Sequence, residues 1–104
     1  MSGPPRNLSL EALLGLADEV CELTGASVRS IAALAAAAAT TEARLHGVPL
    51  HESATQAAAS LAEVIRRTAP LSTTRATALL ASLAAEVLTR LNDAPPPAGE
   101  APPP

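Results

Sequence analysis

The chain has no phenylalanine, tyrosine or tryptophan, no lysine and a single cysteine. The missing rings take away the large side chains that dominate most cores and binding hot spots, and with them any platform on which bases could stack. One cysteine, Cys21, permits no internal disulfide, so nothing marks a stapled secreted miniprotein and a reducing intracellular compartment is the expectation. Charge is sparse as well. Seven arginines, Arg6, Arg29, Arg44, Arg66, Arg67, Arg75 and Arg90, stand against ten acids, for a net charge of -3. These bases are scattered along the sequence, whereas phosphate binding needs a concentrated basic face, so no nucleic-acid partner is expected. The longest apolar run, Ile31 to Ala39, is nine residues, against about 20 for a membrane span. No membrane span is expected, and the Met1-Ser2-Gly3-Pro4-Pro5 start carries no apolar signal segment. Secretion without a signal, or packaging in a virion, are the alternatives to an intracellular site.

What is present is alanine and leucine. Hydrophobic residues make up 48% of the 104, but 25 of them are Ala and only 23 are Leu, Val or Ile. Proline gathers at the two ends and leaves residues 8 to 92 for one small domain. The expected class is all-α, an elongated helical hairpin or small antiparallel bundle. Residues 1–7 form a flexible leader and residues 93–104 a disordered Pro-rich tail, with helices at about 8–46, 50–68 and 72–92.

Asn7 or Ser9 can cap the first helix, with Glu11 near its positive end. A seven-residue pattern then runs unbroken: Leu10, Ala17, Thr24, Ile31, Ala38 and Leu45 at one seam position, Leu13, Val20, Ser27, Leu34, Thr41 and Val48 at the other. Gly25 could end a helix, but the seam keeps its phase across it, which favours one long helix bent there. Between Ala32 and Ala39 this helix has no polar face, a composition normally enclosed on several sides. His46-Gly47-Val48-Pro49 is the strongest internal break and turns the chain back. Glu63–Arg67 and Glu86–Arg90 are four-apart ion pairs on the wet faces of the later helices. Pro70 separates those helices, and Ser72 is placed to cap the last, whose stripe runs Ala76, Leu79, Leu80, Leu83, Val87, Leu88 and Leu91.

Few residues suggest chemistry. Glu42, His46, His51 and Glu52 flank the break and could in principle hold a divalent metal, although a polar helix end accounts for them more simply. Cys21 has no His, Lys or Arg near it in sequence, so it reads as a small core or interface residue, with an intermolecular disulfide or a reactive thiol as the alternatives, and nucleophilic catalysis has no support. Ser72, Thr73 and Thr74 could accept phosphate but suit capping, and Pro95-Pro96-Pro97 and Pro102-Pro103-Pro104 could dock as polyproline II. No enzyme activity, cofactor or small-molecule substrate is expected.

Two Ala-rich helices hinged at His46-Gly47-Val48-Pro49 resemble the small helical hairpins secreted by type VII systems, although the Trp-x-Gly turn of that family and its Tyr-x-x-x-acid signal are absent. The Leu8-Ser9-Leu10-Glu11 helix start, Thr73-Thr74-Arg75 leading into Leu79, Leu83 and Val87, and the Pro/Gly tail are similar to the dimeric coiled-coil tegument proteins of gammaherpesviruses, without their basic tail. Neither likeness is a family assignment. Each implies a helical assembly protein, and the residues imply the same. A stripe this thin gains most by adding apolar area from a second polypeptide, itself or another helical protein. The expected interface is the seam: Leu10, Leu13, Val20, Ile31, Leu34, Leu45, Leu61, Ile65, Leu80, Leu83, Val87 and Leu91. The expected role is a scaffold, adaptor or structural subunit acting through coiled-coil-like oligomerisation.

Overall fold

A computed structural model describes residues 7–41, 44–45, 48–49 and 54–93. Among them the protein is all-α apart from one minimal ladder. Helix α1 spans Leu10–Thr24, α2 Ile31–Thr40, α3 Ala54–Thr68 and α4 Thr74–Asp93. Strands β1, Arg44–Leu45, and β2, Val48–Pro49, pair antiparallel with Leu45 opposite Val48. The expected leader up to Arg6 and the expected tail from Ala94 lie outside the described residues.

The single helix expected over residues 8–46 is instead two helices, and the causes are local. Gly25 sits at φ 76°, the left-handed conformation that ends a helix, and its N–H donates to the Cys21 carbonyl at 2.8 Å. The Thr24 hydroxyl donates to the Val20 carbonyl at 2.7 Å and accepts from the Ala26 N–H, which seals the last turn. Ser30 then starts afresh as an N-cap, its Oγ accepting from the Ala33 N–H at 3.0 Å. A seven-residue repeat keeps its phase across six non-helical residues as readily as across a bend, so phase alone was a poor witness to continuity. At the far end α2 stops at Thr40. There Thr41 donates its hydroxyl to the Ala38 carbonyl at 2.7 Å and accepts the Leu8 N–H at 3.0 Å, pinning the entry of α1 to the exit of α2. With the long helix gone, the two-helix layout that carried the type VII likeness is absent as well.

Each helix buries one stripe. On α1 it is Leu13, Ala17 and Val20; on α2 Leu34, Ala37 and Ala38; on α3 Ala57, Ala58, Leu61, Ala62 and Ile65; on α4 Ala76, Leu80, Ala81, Ala84 and Leu88. All follow three-and-four spacing. Helix α1 packs on α2 and α4, and α3 on α2 and α4, which closes a ring of four around one core. Helices α3 and α4 fold back on each other across Ala69–Thr73. The molecule is 18 Å deep along its shortest axis, room for two layers of helices whose axes lie about 9 Å apart. Alanine at half of the core positions lets the helices approach closely, so dispersion contacts between backbones and methyl groups do what rings do elsewhere.

Candidate functional site

The two connectors, residues 25–30 and 69–73, meet at one end of the ring. Val28 and Leu71 form an antiparallel bridge. On either side of it the Ser72 N–H donates to the Ser27 carbonyl at 2.8 Å, and Arg29 and Ser30 donate their N–H groups to the Pro70 carbonyl at 2.7 and 3.2 Å. Ser72 therefore does not cap α4 as expected. Its Oγ accepts the Ser27 N–H at 2.9 Å, and Thr73 is the cap, its Oγ1 accepting from the Ala76 N–H at 3.0 Å. Pro70 and Leu71 are fully buried beneath this junction, and Ala69 takes a left-handed φ of 46° to feed them inward. From the sequence, a helix bent at Gly25 was expected on one side and a break at Pro70 on the other, with nothing to join them. The only signal was a pair of short Ser-containing linkers, each with an apolar residue beside its serine, and that pattern is too common to pair them.

This junction gathers charge that the sequence disperses. Arg29 lies in one connector, Arg66 and Arg67 in the last turn of α3, and Arg75 in the first turn of α4. Four of the bases called scattered thus share one end of the molecule. Arg67 reaches Glu63 at 3.4 Å, as expected from their spacing; among the described residues Arg29, Arg66 and Arg75 make no ion pair. Glu19 and Glu22 bring negative charge to the same end from the last turns of α1. The second expected pair, Arg90 with Glu86 at 2.8 Å, sits on α4.

Exposed apolar side chains gather there too. Leu23 is 80% exposed, Ile31 60% and Leu79 41%, the large hydrophobic residues left outside among the described ones. Leu23 is one residue from the end of α1, Ile31 is the first of α2, and Leu79 lies within two turns of the start of α4. Leu23, Thr24, Thr73 and Arg75 line an open recess of about 300 Å³ between α1 and α4.

The seam residues fare differently. Leu13, Val20, Leu34, Leu61, Ile65 and Leu80 are fully buried within the chain's own core. Four helices wrapped in a ring thus shelter, within one chain, much of the stripe on which the interface was expected. Leu10, Leu83, Val87 and Leu91 are half-buried against the core. Ile31 points out of the core, because α2 turns Leu34, Ala37 and Ala38 inward, and Leu79 likewise leaves the expected α4 stripe. The Leu45 side chain, and Glu42, His46, His51 and Glu52, lie outside the described residues. Among the described residues no cluster of three His, Cys, Asp or Glu could hold a metal, and no helix is long and apolar enough to cross a membrane. Cys21 is half-buried at the rim of the core. Comparison with protein-family models, with curated proteins and with solved structures finds no match.

Proposed function

We propose that this protein is a non-enzymatic helical interaction module, and that its contact surface is the connector end of the ring and not the seam. The observation that carries this reading is the coincidence of Leu23, Ile31 and Leu79 at one end of a fold whose other described large hydrophobic side chains are at least half sheltered. Single exposed apolar residues are ordinary; three at one junction, rimmed by arginines and carboxylates, have the make-up of a contact patch. Helix α2 adds to it. It has no charged residue on any face and leaves Ala32 exposed next to Ile31 in its first turn. The absent rings do not weaken this reading, because a leucine or isoleucine that loses its water contributes about 1.5–3 kcal/mol.

The test is positional. A photo-crosslinking side chain at position 23 should give a discrete adduct in cells expressing the protein, and one at exposed Ala59, on the side of α3 away from the junction, should give none. No adduct from position 23, or equal labelling from both, removes the proposal.

A further inference from the structure

From the chemistry of this same end, and resting on the reading just given, we infer that the occupant of the surface is a second copy of the chain, docked connector end to connector end about a twofold axis. An isologous contact requires a patch that complements itself. A patch of one sign repels its own copy, and a patch with no charge has nothing to set its orientation. The connector end is neither. Among the described residues Arg29, Arg66 and Arg75 are exposed without ion pairs, and Glu19 and Glu22 are exposed on the last turns of α1, which end at the same junction. Leu23 stands between the two signs: it follows Glu22 in the chain and shares its recess with Arg75. In the docked pair the acids of each copy face the arginines of the other, with Leu23, Ile31 and Leu79 closed between them.

The rest of the surface favours the same end. Along α1 the exposed charges are all acidic, Glu11, Asp18, Glu19 and Glu22, so two copies set side by side on that helix would repel. Over the whole chain the net charge of -3 opposes association, and a junction where both signs meet is where that opposition is weakest. The backbone is also suited to the task. The bridge between Val28 and Leu71 and the four hydrogen bonds around it tie the two connectors together, so little further ordering is required on docking.

The experiment uses the full chain and two charge-converted forms. One carries Glu19→Arg with Glu22→Arg, the other Arg29→Glu with Arg75→Glu. Both sets suit the helix dipoles, since arginine then sits near the C-terminus of α1 and glutamate in the first turn of α4, so both forms should fold. Light scattering across micromolar to millimolar protein at low salt should show the native chain passing from one-chain to two-chain mass. Each converted form alone should associate roughly tenfold more weakly or worse. The two forms mixed should regain a two-chain species containing one of each. Leu23→Asp, at a position with almost no packing to lose, should leave helicity intact and abolish the dimer. A native chain that stays at one-chain mass throughout, or a dimer indifferent to both conversions, overturns the inference. Those failures are separable from failure of the module reading, because a position-23 adduct to a different polypeptide would keep that reading while removing the second copy.

Discussion

Single residues set the local decisions in this fold, and glycine shows it most clearly. Gly25 sits in the left-handed region at φ 76°, while Gly15 lies mid-helix and exposed, and a methyl group at either would meet nothing within 4 Å. Space being equal, backbone conformation alone decides. Gly15→Ala should stabilise by about 0.5–1 kcal/mol through helix propensity, and Gly25→Ala should destabilise by about 1 kcal/mol through strain. Urea midpoints moving in opposite directions would confirm it; movement the same way would show that Gly25 does not end α1. Ala69 is the converse case, an alanine held at φ 46°, so Ala69→Gly should cost nothing or gain a few tenths of a kcal/mol. Thr77 stands apart. Its residue is 3% exposed, and among the described residues its Oγ1 has no hydrogen-bond partner. Replacing a stranded hydroxyl by a methyl group removes a desolvation cost, so Thr77→Val should raise the melting temperature by an amount corresponding to about 1 kcal/mol. A drop would reveal a partner for the hydroxyl.

The helices themselves were legible as amphipathic runs, and their ends less so. α3 and α4 stop and start close to where Pro70 and the hydroxyl residues around it indicate, and the two four-apart ion pairs appear as their spacing requires. Ser72 was the expected cap of α4, but Ser72, Thr73 and Thr74 are all capping residues and lie next to one another, so local preference separates them only weakly. The tertiary demand of the Ser27 N–H for an acceptor claims Ser72 and leaves Thr73 to the helix. This gives an element-scale prediction. Thr73→Ala should lower α4 stability by about 1 kcal/mol. Ser72→Ala should instead loosen the junction, visible as faster amide exchange at Ser27 with α4 unchanged. Equal fraying of α4 in both variants would contradict the assignment. The break in the first helix is local by contrast: Gly25 ends α1 and Ser30 caps α2, and the pairing of Val28 with Leu71 then ties the connector they leave between them to the one between α3 and α4.

At the scale of the whole molecule the ring of four helices determines how much of the apolar stripe remains for other proteins. Leu80 is fully buried where α4 meets its neighbours, and Leu80→Ala should cost about 2–5 kcal/mol. In a core with so few large side chains that is a large share of a stability typically about 5–15 kcal/mol, and loss of cooperative melting would register it. A ring that shelters its core within one chain predicts that helical circular dichroism survives dilution well below the concentration at which the two-chain mass disappears. Unfolding on dilution would mean that the core is completed only by the second copy. What the amino-acid order determined unaided was the all-α class, the inward stripes and the local ion pairs, because each depends on neighbours within one or two helical turns. The meeting of the two connectors, and with it the gathering of four arginines and three exposed apolar side chains at one end, was decided by tertiary structure alone, since it depends on how helices remote in the chain pack and no local periodicity records that.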